Sequence, residues 1–82
     1  MAKKTIYILT QVIDRIIAVD VFDTKDEALE TMHKLFSDVL EKQGLTHEDE
    51  DRYEISSKGS AWINDYNGNL YDWDITKKTI SV

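Results

Sequence analysis

The chain contains no cysteine and no proline, and each of its three glycines stands alone. Without cysteine it has neither a disulfide nor a thiolate ligand for a structural zinc ion, and isolated glycines exclude a glycine-rich phosphate loop. No run reaches the roughly 18 apolar residues of a transmembrane helix. The N-terminal apolar stretch, which Asp14 and Arg15 close, is too short for a secretory signal peptide. We therefore expect a soluble cytoplasmic protein with no cofactor and no membrane partner.

Basic residues are also scarce, with 10 Lys and Arg against 16 Asp and Glu and a net charge of −6. Proteins that bind nucleic acid through its phosphates need clustered Lys or Arg, so we expect no direct nucleic-acid binding. The acidity fits a basic protein partner, or solubility alone. With 82 residues, of which 41% are hydrophobic, the chain is expected to fold as a single domain over residues 1–82.

Five segments have the β-branched and aromatic composition of strands. In the second of them, Ile17, Val19 and Val21 share one face. Its other residues share the opposite face, which Asp20 marks as the wetter one. The five predicted strands cover residues 5–11, 16–22, 53–57, 60–64 and 70–76.

One helix is predicted over residues 25–43, where apolar residues recur at helical spacing. Thr24 and Glu27 form a capping box at its start, and Gly44 ends it, with Leu45 as the accompanying hydrophobic contact. The fold class is therefore α+β, with a single helix packed on one face of a mostly antiparallel sheet in the order β-β-α-β-β-β.

The turn at Asn67-Gly68 joins the last two strands and fixes which residues share a face. A two-residue turn would place Asp72 and Asp74 beside apolar residues of the preceding strand. A type I turn with Gly68 as a bulge shifts the pairing by one residue and separates them. Burial favours the bulge, which gathers one apolar face from Ala61, Ile63, Tyr71, Trp73 and Ile75.

The residues that could carry catalysis or bind metal are few. His33 lies on the polar side of the helix and His47 in an acidic connection, and neither has a second ligand at metal spacing or a nucleophile beside it. The oxygen-rich turn at residues 65–69 lacks the glycine and glutamate positions of a calcium loop. We predict no catalytic, cofactor or metal site, and a protein that is not an enzyme.

Carboxylates form the densest charged feature. They could mimic nucleic-acid phosphates and dock on a basic patch, or they could simply be solvated. The acidic patch predicted from the sequence consists of Glu48, Asp49, Glu50, Asp51, Asp72 and Asp74.

A single helix covers one face of a sheet, so apolar side chains on the other face are left over. Exposed apolar patches of several hundred Å² usually mark an interface, unless a strongly twisted sheet covers its own second face. The first strand could contribute either Ile6 and Ile8 or Tyr7 and Leu9. The interface predicted on this second face consists of Ile16, Phe22, Trp62 and Leu70.

The last third of the chain, with Ala61-Trp62-Ile63-Asn64-Asp65 and Tyr71-Asp72-Trp73-Asp74-Ile75, resembles short acidic proteins of Gram-positive bacteria and their mobile elements. That resemblance implies no activity. From the residues themselves we predict a small non-enzymatic module that binds a protein partner or a second copy of itself through an apolar sheet face. The alternative is an acidic decoy that inhibits a nucleic-acid-binding protein.

Overall fold

The computed structural model describes residues 2–81, which form one five-stranded sheet and one long helix. The helix α1 (Lys25–Lys42) joins the second strand to a 3₁₀ helix (His47–Arg52), and the third strand follows directly. All strand pairs are antiparallel, in the order β2-β1-β5-β4-β3. The α+β fold and the predicted order of its elements are confirmed. The strands are β1 (Lys3–Ile13), β2 (Ile16–Phe22), β3 (Tyr53–Ser56), β4 (Ser60–Asn64) and β5 (Leu70–Ser81).

The centre of the sheet is the long pair of β1 and β5. Lys3 pairs with Ser81 at one end and Ile13 with Tyr71 at the other. The sequence predicted that β5 would end at residue 76, but the strand continues to Ser81 because residues 77–81 pair with the start of β1. This pairing joins the two ends of the described chain, and local composition gives no sign of it.

Both predicted ends of α1 are present, but only half of the predicted capping box is. The backbone N–H of Glu27 donates to Oγ1 of Thr24 at 3.2 Å, whereas the Glu27 carboxylate accepts from the Thr24 hydroxyl instead of from the Thr24 backbone N–H. At the other end the N–H of Gly44 donates to the carbonyl of Glu41, and the N–H of Leu45 donates to that of Leu40 at 2.9 Å. These two bonds form a Schellman motif, and Gly44 permits it by adopting a φ of 67°.

The turn between β4 and β5 has the predicted bulge. The N–H of Gly68 donates to the carbonyl of Asp65, the N–H of Asp65 donates to that of Asn69, and Gly68 has a φ of 84°. The resulting register pairs Ile63 with Tyr71. Most apolar side chains of the two strands therefore face the helix, while the carboxylates of β5 face away from it together with Trp62 and Leu70. The residues that face the helix are Ala61, Ile63, Tyr71, Trp73 and Ile75.

The core lies between α1 and this inner face of the sheet. Trp73 is its central side chain, 1% exposed, with its ring edge-to-face against Phe36 of α1 at 5.8 Å between centroids. The indole N–H donates to Oε1 of Gln11 at 2.8 Å, so the polar atom of the buried ring is satisfied. The apolar stripe of α1 contributes the buried residues Ala28, Met32 and Phe36.

Candidate interaction surface

The face of the sheet opposite α1, called the open face from here on, has no other element of the described chain packed across it. Its composition follows from the pairing of β1 with its neighbours. Leu9 is buried in the core and pairs with Ile75, so the odd-numbered residues of β1 face the helix and Ile6 and Ile8 lie on the open face. The sequence left open whether Ile6 and Ile8 or Tyr7 and Leu9 lie on this face, and the pairing shows that it is Ile6 and Ile8.

The same pairing corrects the predicted interface. Ile16 pairs with Ile13, and Phe22 pairs with Tyr7, so both lie on the helix side, where Phe22 packs against the core. They do not share a surface with Trp62. The prediction was wrong because it placed the face of β2 that carries Asp20 away from the helix. β2 is an edge strand, so Asp20 remains exposed to solvent even though it lies on the helix side.

The apolar residues of β2 that lie on the open face are the ones that the sequence placed inside. Ile17, Val19 and Val21 are 66%, 57% and 60% exposed. They lie across from Val12, Thr10 and Ile8 of β1, which are half-buried. We call these residues, with Ile6, the apolar patch: Ile6, Ile8, Thr10, Val12, Ile17, Val19 and Val21.

Trp62 and Leu70 also lie on the open face, beyond the central strands. Trp62 is 37% exposed and pairs with Asp72 of β5 on one side and with Glu54 of β3 on the other. Asp74 pairs with Thr10, so the two carboxylates of β5 border the apolar patch directly. This half of the predicted interface is therefore on the expected face, with an acidic border.

The other predicted carboxylates lie elsewhere. Glu48, Asp49, Glu50 and Asp51 belong to the 3₁₀ helix, which is tied to the β4–β5 turn. Asp49 accepts hydrogen bonds from the backbone N–H of Thr46 at 2.9 Å and from the hydroxyl of Tyr66, and these bonds, the backbone one first, lower its pKa. The Arg52 guanidinium lies 3.8 Å over the Tyr66 ring. The predicted acidic patch is therefore two separate groups of carboxylates, one on the 3₁₀ helix and one on β5. Asp49 has a structural role, because it ties the 3₁₀ helix to the β4–β5 turn through Tyr66.

Among residues 2–81, Asp65 is the one polar or charged residue that is buried with the core. Its Oδ1 accepts from the backbone N–H groups of Asn67 and Asn69, both at 2.9 Å, and its Oδ2 accepts from the Asn69 amide and the Tyr71 hydroxyl. Burial by itself raises the pKa of a carboxyl group, but these donors outweigh it and hold the pKa of Asp65 below its ordinary value. This carboxylate holds the turn together, because an Asp side chain at such a position bonds to the nearby backbone.

The remaining candidates are isolated. His33 and His47 are both exposed, and residues 2–81 contain no group of three or more His, Asp or Glu side chains placed to hold a metal ion. In the same part of the chain, α1 is too polar to cross a membrane. The arrangement that distinguishes this molecule is thus the apolar patch with its acidic border.

The sequence did contain a signal for the apolar patch. Ile17, Val19 and Val21 form a strand face without a polar residue, which is typical of a buried face and by itself indicates core. An edge strand with such a face and nothing packed on it is typical of an interface.

Comparison with models of protein families, with curated proteins and with solved structures found nothing that matches this chain.

Proposed function

We propose that this protein is a non-enzymatic interaction module, and that its open face binds the open face of a second copy. The observation that carries the proposal is the apolar patch, where three β-branched side chains of β2 are more than half exposed. Fully burying a side chain of this size is worth about 1.5–3 kcal/mol. In a two-fold dimer a residue that lies against its own counterpart is buried twice, because both copies present the same surface.

The charges beside the patch are complementary to those of a second copy. Consider a two-fold axis that lies between the two sheets, runs across the strands and passes through the pair Ile8 and Thr76. It reverses the strand direction in the second copy, so each β5 lies on its counterpart with Thr76 at the centre. Asp74 and Lys78 are both two residues from that centre and on the open face, so each faces the other across the dimer.

Neither of these charges is paired within one copy. In the described residues 2–81 the only ion pair is that of Lys4 with Asp23. Two Asp74–Lys78 pairs per dimer would fix the register of the two sheets and keep the carboxylates from being buried alone, which costs several kcal/mol. The same axis places Ile8 against Ile8 and Val21 against Val21 of the second copy.

The surface that the two copies share about this axis predicts a weak dimer. Only β1 and β5 overlap along their full length, since β3, β4 and most of β2 lie on one side of the axis. The 11 residues of β1 extend over about 36 Å, and two strands give a width of about 10 Å. With the overlapping end of β2, the shared surface is roughly 400 Å² per copy, about half of the ~800 Å² that each partner contributes to a typical specific interface.

Replacing Val21 with Ser should weaken self-association at least about tenfold, because Val21 lies against Val21 of the second copy and each dimer loses the side chain twice. Sedimentation equilibrium across about a hundredfold range of concentration measures this, since dimerisation follows mass action. Ile16→Ser is the matched control. Ile16 belongs to the same strand and is 74% exposed, but it lies on the helix side, so its loss should leave the dissociation constant within about twofold.

Three results would contradict the proposal. One is a 9.5 kDa monomer at millimolar concentration. Another is an equal effect of Ile16→Ser and Val21→Ser, which would indicate pairing through the free edge of β2 instead of the open face. The third is dimerisation that Val21→Ser leaves unchanged.

The acidic decoy remains the alternative function, and the structure gives it less support because its carboxylates are divided between two places. Binding of a basic protein through exposed carboxylates should weaken steeply as ionic strength rises. Association through the apolar patch should respond little, with only the Asp74–Lys78 pairs screened. We predict a cytoplasmic location in either case.

A further inference from the structure

The helix side of the sheet contains a feature that the interaction module does not use. A cavity of about 230 Å³ lies beside the start of α1, with Tyr7, Ile75 and three lysines in its lining. The lysines come from three different elements. Lys25 is the first residue of α1, Lys58 lies in the turn between β3 and β4, and Lys77 belongs to β5.

The backbone holds these elements in place. The N–H of Ile75 donates to the carbonyl of Gly59 at 2.7 Å, and the N–H of Gly59 donates to that of Ser56. A Cβ on Gly59 would lie 3.1 Å from Cβ of Ile75, so the turn rests directly on β5. Lys58 is therefore set over Ile75 by ordered backbone, and Lys77 lies across from Tyr7 in the β1–β5 pair.

The three lysines concentrate positive charge on an acidic protein. The chain has a net charge of −6 and only 10 Lys and Arg, yet three of them line one small cavity, with exposed side chains. None of the three has a carboxylate within 4.0 Å in the part of the chain that the structure describes. Lys25 also stands at a helix N-terminus, where the helix dipole favours an anion. Their ammonium groups are therefore available to a ligand that supplies the missing partner.

We infer that the cavity binds a small phosphate-bearing anion through Lys25, Lys58 and Lys77. The ammonium groups supply charge-assisted hydrogen bonds to phosphate oxygens, and Tyr7 and Ile75 form an apolar wall for the rest of the ligand. A small anion fits better than nucleic acid, because the net charge of −6 repels an extended polyanion. The site is on the helix side of the sheet, so it does not depend on the proposed dimer.

Titration of the protein with inorganic pyrophosphate, followed by amide chemical shifts, tests the assignment. We expect saturable binding, with the shifts concentrated at Tyr7, Lys58 and Ile75. Lys25→Gln, Lys58→Gln and Lys77→Gln should each weaken the affinity about tenfold, the effect of losing one charge-assisted bond. Lys34→Gln is the matched control, since it removes the same charge from an exposed site further along α1, and it should change the affinity less than about twofold.

Each possible failure is informative. Absence of saturable shifts at about 10 mM pyrophosphate, a concentration that occupies sites of millimolar affinity, would overturn the inference. So would an equal loss in Lys34→Gln, which would show that only overall charge matters. A single-stranded oligonucleotide that bound more tightly than pyrophosphate would replace the small anion as ligand.

Discussion

Replacing Trp73 with Ala should leave the protein largely unfolded at 25 °C. The indole is the largest fully buried side chain, contacts Phe36 and Tyr71, and donates to Gln11. Removing a buried aromatic ring from a core typically costs about 3–5 kcal/mol. A domain of this size without a disulfide or metal has a total stability on the order of 3–5 kcal/mol. Urea denaturation followed by far-ultraviolet circular dichroism gives the free energy of unfolding.

The second tryptophan of the chain is the matched control. Trp62 is in β4, is 37% exposed on the open face, and lies outside the cluster around Phe36. Trp62→Ala should lower the free energy of unfolding by at most about 2 kcal/mol, and its spectrum should remain that of a folded protein. Equal losses for the two variants would mean that the sheet does not present Trp73 to the helix as described.

Replacing Asp65 with Ala should lower the free energy of unfolding by about 2–4 kcal/mol. The change leaves the backbone N–H groups of Asn67 and Asn69 without their acceptor, and the Tyr71 hydroxyl also loses its partner. Each buried donor left unsatisfied costs about 1–3 kcal/mol. The adjacent Asn64 is exposed on β4, so Asn64→Ala should remain within about 0.5 kcal/mol of the original protein.

The effect of Asp65→Ala should also depend on pH. The folded protein lowers the pKa of Asp65 below its ordinary value, so its carboxylate stabilises the fold at pH values above the pKa of the unfolded chain, about 3.9. That contribution is lost as the pH falls through the lower folded pKa. The difference in unfolding free energy between the original protein and Asp65→Ala should therefore shrink below about pH 4. A difference that grew on acidification would contradict the hydrogen-bond network around Asp65.

The hairpin of β4 and β5 shows where sequence alone was sufficient. Only one register separates Asp72 and Asp74 from the apolar side chains of β4, so the cost of burying carboxylates selected the bulge at Gly68. Helix α1 could also be predicted from sequence alone, because its caps at Thr24 and Gly44 are local motifs that do not depend on the rest of the fold.

The hairpin of β1 and β2 shows where sequence was insufficient. Both faces of β2 carry large apolar residues, so burial does not choose between them. The choice is made by the pairing of β1 with β5, which turns Leu9 toward the helix. That contact joins residues more than sixty positions apart. Asp20, which indicated the solvent-facing side, could not reveal that its face points toward the helix at an exposed edge.

The cavity lined by the three lysines could not be predicted from the sequence, for a similar reason. Lys25, Lys58 and Lys77 are separated by long intervals of sequence, and each belongs to a different element. Their convergence depends on the turn at Gly59 resting on Ile75 and on the extension of β5 beyond residue 76. Neither feature has a local signal in composition or periodicity.

A cross-linking measurement with single cysteines tests the central claim, that two copies associate through their open faces. The chain has no cysteine of its own, so Thr76→Cys introduces a single thiol at the proposed two-fold axis. Sheets that pack face to face are about 10 Å apart, which a short thiol-to-thiol cross-linker can span. Ala18→Cys provides the control, since Ala18 is exposed on the helix side of β2. We expect a covalent dimer from Thr76→Cys and monomer from Ala18→Cys. Monomer from Thr76→Cys, or equal dimer from both, would contradict association through the open faces.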